Sequence, residues 1–211
     1  MSLILFVLLL TPQDQTAEAK KLIEAAIPVS KDSPLVQLEW ENDGKSGSGV
    51  FQRGKAWRVD TKKGEVEISS LWDGKGFLCY RKRSNTYFRN PKDSPSMLLS
   101  DGGALAELCY SGNADRVLNG NKATLKKEKL GDVDCSHVVI RQPDTQGSTD
   151  VELHVWIDAD KHFLRYSRKY KAQGKTYENA FVYKVIDPPT ATADSFAIKM
   201  PADAKDLAAP K

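Results

Sequence analysis

Three cysteines and three histidines in 211 residues leave little from which to build metal or thiol chemistry. No C-x-x-C or H-x-x-x-H spacing occurs and His137, His154 and His162 are scattered, so the ligand sets of zinc sites are not encoded and no metal or other cofactor is expected. An excess of one charge is also missing. The 31 basic and 28 acidic residues leave a formal net charge of +3, too weak a bias to predict a nucleic-acid partner. No internal repeat is evident, and no linker is long enough to divide the chain. An apolar run of about 20 residues, the length that spans a bilayer core, is absent too.

The longest apolar run is Leu3 to Leu10, LILFVLLL, which has the length of a signal-peptide core. Export is the expectation, with cleavage near Thr11 to Thr16, and without a cysteine at lipobox spacing the product is read as soluble and not lipidated. The reading divides the chain into a leader over residues 1–16, one domain over residues 17–207 and a tail over residues 208–211. For an exported protein, Cys79, Cys109 and Cys135 fit one disulfide and one spare thiol.

Ala19, Leu22, Ile23, Ala26 and Ile27 follow the spacing of one helix stripe, and Pro28 ends it. From Leu35 the period becomes two. Val36, Leu38 and Trp40 alternate with Gln37, Glu39 and Glu41, and Asp43-Gly44 supplies a turn. Further alternating segments around Trp57, Val66, Phe77 and Thr86 read as meander hairpins. Ser94-Pro95-Ser96 then starts a helical stretch with an apolar face of Met97, Leu98, Leu99, Leu105, Leu108 and Cys109, hinged at Asp101-Gly102-Gly103. Beyond it, strands are expected over Ala123–Lys129, Cys135–Arg141, Val151–Asp158, Phe163–Ala172 and Tyr177–Ile186, and a last one through Phe196, Ile198 and Met200. The Lys122, Lys126, Lys127 and Lys129 cluster reads as a solvated strand edge, the alternative being contact with anionic lipid headgroups.

No catalytic constellation stands out, and the protein is not expected to be an enzyme. Cys135 and His137 share one strand face about 7 Å apart, too far for a direct thiolate–imidazole bond, with no third group to orient them. Asp158 and Asp160 start like a calcium loop, but Lys161-His162-Phe163 stands where oxygen ligands and a glycine belong, so a strand-joining turn is the better account. Glu39, Glu41, Glu65 and Glu67 read as an exposed strand face rather than a glycosidase pair. Trp40, Trp57, Trp72 and Trp156 fall on strands or at strand ends, as core packing or as the lining of a ligand cavity.

The order of these segments resembles the lipoprotein-carrier (LolA/LolB-like) superfamily, in particular its periplasmic members of unassigned role. The resemblance spans Ala17 to Leu207. It is carried by Ala19-Lys20-Lys21-Leu22-Ile23, Leu71-Trp72-Asp73-Gly74-Lys75, Ser94 to Leu99, Gly131 to His137, Val155-Trp156-Ile157-Asp158, Leu164-Arg165, and Phe196 with Pro201-Ala202-Asp203-Ala204. It implies an α+β, mostly β fold in which a strongly curved antiparallel sheet, an incomplete β-barrel, carries helices over its concave face. It further implies a monomeric periplasmic carrier for lipid or lipoprotein acyl chains, with Trp40, Trp57, Trp72, Met97, Leu98, Leu99, Leu105 and Leu108 as ligand contacts. By segment order Arg58 is the candidate for the family's lid latch. The alternative is a non-catalytic adaptor that senses lipoproteins and regulates a membrane protein. For the disulfide, Cys79 before the helical segment and Cys109 at its end are the expected pair, stabilising the fold by roughly 3 kcal/mol through a loop of about 30 residues; the competing expectation is three buried thiols.

Overall fold

The computed structural model describes residues 14–28, 33–90 and 102–207. The leader's apolar run and the helix expected from Ser94 through Leu99 lie outside them. The described chain forms α1 (Thr16–Ala25), strands β1 (Leu35–Asn42), β2 (Lys45–Gln52), β3 (Ala56–Lys63), β4 (Val66–Trp72), β5 (Phe77–Arg81) and β6 (Thr86–Asn90), then α2 (Gly103–Ser111) and α3 (Asp115–Leu118). Strands β7 (Ala123–Leu130), β8 (Val133–Arg141), β9 (Thr149–Asp158), β10 (Phe163–Ala172), β11 (Lys175–Ile186) and β12 (Lys205–Asp206) follow. None of the described helices is long and apolar enough to cross a membrane.

All twelve strands join one sheet in the order β12-β6-β5-β4-β3-β2-β1-β11-β10-β9-β8-β7, and the ends β7 and β12 do not meet, so the sheet is open. The pairs are antiparallel except β12 with β6. Laid flat, strands at about 4.8 Å spacing would spread some 50 Å. A single buried cluster nevertheless includes Phe77 and Cys79 of β5 together with Val138 and Ile140 of β8, and only a curved sheet places those side chains in one core.

Period-two alternation explains which face holds this core. Leu38, Trp40, Phe51, Trp57, Val59, Val155, Ile157 and Phe181 point to it, and α1 and α2 add Ala19, Ile23, Leu105, Ala106 and Leu108, each completely buried or nearly so. The first helix packs on β7, the second on β2 and β10, and α3 on α2. Both ends of α2 are tied down: the buried Tyr183 hydroxyl donates to the Gly102 carbonyl at 3.0 Å, and the Gly54 amide donates to the Tyr110 carbonyl at 2.8 Å.

Strand β2, KSGSGVFQ, carries no alternation a sequence reading could follow. It exists because Trp40, paired with Gly47, and Phe51 lie across the strand's glycines; a Cβ on Gly47 would sit 2.3 Å from the Trp40 ring. The expected strand through Phe196, Ile198 and Met200 is not formed. A single 3-10 turn occupies Ala193–Phe196 and the backbone then runs irregularly to β12, because it crosses β3, whose two sides are already paired with β2 and β4.

The lysine-rich strand is, as expected, a sheet edge. Its first half is also covered: Gln15 Oε1 accepts from the Leu125 amide at 2.8 Å and Thr16 Oγ1 from the Ala123 amide at 2.9 Å. Side-chain oxygens at the start of α1 thus satisfy donors that would otherwise template another strand.

Candidate functional site

Of the residues expected to contact a ligand, Trp40, Trp57, Leu105 and Leu108 come together in the core, where they are 0–2% exposed, so their surface is already spent on one another. Trp72 lies at the rim of that cluster, and its indole N–H donates to the Tyr110 hydroxyl at the end of α2. Met97, Leu98 and Leu99 lie outside the described residues.

An open cleft of about 580 Å³ lies where α1 ends, and it is built from residues the sequence did not single out as ligand contacts. Ala26, Ile27 and Pro28 form one wall, Val36 and Val185 of the neighbouring strands β1 and β11 another, and Phe163 with Leu164 a third. The edge of Phe163 meets Tyr183 at 5.6 Å, which backs the cleft with two rings. The rim is polar, with Glu24, Asp160, Lys161, His162 and Asp187. An apolar floor under a mixed-charge mouth suits an elongated apolar molecule with a polar end.

Asp158, Asp160 and His162, at the β9–β10 turn, bring one ligand atom each within 4.8 Å of one another. The Asp158 carboxylate is already engaged, accepting from the His162 amide at 2.7 Å and facing His162 Nδ1 at 2.9 Å. It closes the turn, as the sequence reading expected.

Among the described residues Arg58 latches no α-helix. It alternates with Trp57 and Val59 and therefore projects from the opposite, outer face of β3. There it donates to the carbonyls of Ala197 at 2.8 Å and Ser195 at 3.3 Å and pairs with Asp60 at 2.9 Å. The guanidinium straps the segment after β11 across β3, beside a polar cleft of about 1150 Å³. Arg58→Ala is expected to release that strap. Two charge-assisted bonds in a half-exposed setting contribute about 1–2 kcal/mol to local closure, a factor of roughly 5–30 in the open population. Limited proteolysis between Asp187 and Pro201 should accelerate accordingly, and an unchanged cleavage rate would show the strap to be held by other contacts.

The expected Cys79–Cys109 disulfide is absent. Cys109 belongs to a helix resting on β2 and β10, whereas Cys79 lies on β5, three strands beyond β2, so different parts of the core hold the two sulfurs. Burial pushes the Cys109 thiol far above its ordinary value. It pushes Cys135 up as well, and the Cys135 thiol donates to the Val133 carbonyl at 3.4 Å. The imidazole two residues along turns elsewhere: His137 Nε2 lies 2.9 Å from His154 Nδ1, and His137 Nδ1 lies 3.1 Å from Glu128 Oε1. The His137 ring also stacks on Trp156 at 4.4 Å, with Arg165 over the far side of the indole at 5.0 Å. Trp156 Nε1 donates to the same Glu128 oxygen at 2.7 Å, which holds that carboxyl below its ordinary value.

The profile of a family described as predicted periplasmic protein (DUF2092) matches residues 9–208. No curated protein matches the chain in sequence. In fold it is similar to the crystal structure of an uncharacterized conserved protein from Thermus thermophilus, at 15% identity and a TM-score of 0.56, over 91% of this chain and 99% of that one.

Proposed function

The chain belongs to the DUF2092 family of predicted periplasmic proteins, and on that premise we propose that it is a periplasmic binding protein or carrier whose apolar cleft at the end of α1 holds an acyl chain of a lipid or lipoprotein. The observation that carries this reading is the cleft itself. Its volume of about 580 Å³ lies within the roughly 300–1,000 Å³ range of small-molecule sites, and its walls are aliphatic and aromatic with charge confined to the rim. An open curved sheet with helices over its concave face, the arrangement of the lipoprotein-carrier superfamily, accounts for both the cleft and the core behind it. In this reading Trp40, Trp57, Leu105 and Leu108 are the rigid backing rather than the contact surface, and no group of the cleft is assigned a chemical step.

The broad polar cleft beside the Arg58 strap supports a second reading, an adaptor that engages a membrane protein through its outer face. One set of experiments separates the two. Protein purified from the periplasm of an exporting host is examined by native mass spectrometry and titrated with palmitate. The carrier reading expects one acyl chain per protein, and Val36→Trp, which fills the cleft, should weaken binding. Excluding two methylenes at about 0.8 kcal/mol each corresponds to about tenfold. An acyl-free protein that does not bind palmitate, or binding indifferent to Val36→Trp, removes the carrier reading, and a stoichiometric membrane-protein partner in its place favours the adaptor.

A further inference from the structure

On the outer face of β7, β8 and β9, away from the cleft, four side chains form a line: Glu128, His137, His154 and Glu152. The three gaps along it are 3.1 Å from Glu128 Oε1 to His137 Nδ1, 2.9 Å from His137 Nε2 to His154 Nδ1, and 3.4 Å from His154 Nε2 to Glu152 Oε2. The imidazoles are only 8% and 11% exposed in their side chains, so water does not readily stand in for a missing partner.

Hydrogen-bond chemistry decides where the protons sit. Glu128 is ionised and can only accept, and it already takes the indole N–H of Trp156. Of the two carboxylate contacts the one to Glu128 is the shorter, 3.1 Å against 3.4 Å at Glu152, which assigns the hydrogen to His137 Nδ1 rather than to His154 Nε2. With Nδ1 protonated, neutral His137 offers Nε2 as an acceptor, so His154 must donate across the ring–ring gap from its own Nδ1. Neutral His154 then has a bare Nε2 aimed at the Glu152 carboxylate; this atom and His137 Nδ1 are both buried without an aligned hydrogen-bond partner among the described residues, and of the two it is His154 Nε2 that stands farther from its carboxylate, 3.4 Å against 3.1 Å.

We propose that Glu128, His137, His154 and Glu152 form an ordered proton relay with a single acceptor, His154 Nε2, so that this face of the sheet responds to acid in two separate steps. The first proton enters at His154 Nε2, fills the last gap and leaves the other two intact. A second has nowhere to go except His137 Nε2, which turns that acceptor into a donor facing a donor and breaks the ring–ring bond between β8 and β9.

The surroundings define the conditions. Burial first, then the Lys126 ammonium opposed by Glu128 and Glu152, holds His137 below the ordinary histidine value. Burial, then His137 and Lys169 opposed by Glu152 and Glu178, does the same for His154. Charged imidazole is thus disfavoured in the fold, and both steps belong to acid. The linked sign is definite: unfolded histidines take up protons at about pH 6.5 while the folded pair resists, so stability is full above that value and is lost as the pH falls below it.

The test is long-range ¹H–¹⁵N correlation spectroscopy of the full chain through an acid titration. Both His137 and His154 should show the Nδ1–H tautomer near neutral pH, and the first change should appear at His154 Nε2 while His137 keeps its tautomer. Glu152→Gln, which substitutes an amide donor for the carboxylate on a partly exposed site, should move the first step to lower pH without changing the His137 tautomer. An Nε2–H tautomer in either ring at neutral pH overturns the proposal. So does simultaneous titration of the two rings, or a His154 step unmoved by Glu152→Gln.

Discussion

Trp57→Ala is expected to destabilise the protein by about 3–5 kcal/mol, the range for deleting a large buried aromatic side chain. Trp57 is completely buried on the core face of β3. It occupies the row in which Phe51, Trp57, Trp72 and Phe77 face one another across four strands, and its ring centroid lies 6.1 Å from that of Phe77. Few side chains there can move into the space an indole vacates, since each is fixed by its own register partner. For a chain of this size each kcal/mol shifts the midpoint by about 2–4 °C, so a fall of roughly 6–20 °C should appear in thermal unfolding followed by far-ultraviolet circular dichroism. A loss below about 1 kcal/mol would mean that the row is not packed as described.

Gly103→Ala should cost about 2–5 kcal/mol through two separable effects. Its φ of +67° is a conformation that an L side chain adopts at a cost of about 1–2 kcal/mol. A Cβ there would also stand 2.3 Å from the Tyr183 hydroxyl and 3.1 Å from the Phe181 ring. The hydroxyl must then move from the Gly102 carbonyl it serves at 3.0 Å, and a buried polar pair left unmade costs about 1–3 kcal/mol. Combining Gly103→Ala with Tyr183→Phe removes the clashing oxygen and isolates the backbone cost. The double variant should therefore be more stable than the sum of the single effects allows. Equilibrium unfolding in urea measures all three, and strict additivity would place the hydroxyl elsewhere.

Much of the fold was legible because the information is local. Val36, Leu38 and Trp40 alternate, Asp43-Gly44 takes the turn with φ of 41° and 72°, and the clustered lysines of β7 mark an edge. Strand β2 was not legible, because serine and glycine carry little strand propensity; it follows from rings on Trp40 and Phe51 that need glycine beneath them. The segment through Phe196 and Ile198 has a strand's alternation but starts over β3, which is already paired on both sides. The cleft at the end of α1 escaped for a related reason: Ala26, Val36, Phe163 and Val185 come from four parts of the chain, and each looks like ordinary core in its own stretch.

The histidines show the division most clearly. In the sequence His137 and His154 are seventeen residues apart, with nothing to relate them. In the sheet, β8 pairs with β9 so that His137 faces Trp156 and Val139 faces His154. That register sets both imidazoles on the outer face in contact, with Glu128 brought alongside by β7. Composition and local periodicity determined on their own that this is an exported, mostly β chain with an amphipathic opening helix, since side-chain alternation and turn chemistry act over a few residues. Strand order, register, the path of the Arg58 strap and the position of the cleft were decided only by the tertiary structure. These depend on which distant faces bury one another best, a sum over the whole core that no local stretch contains.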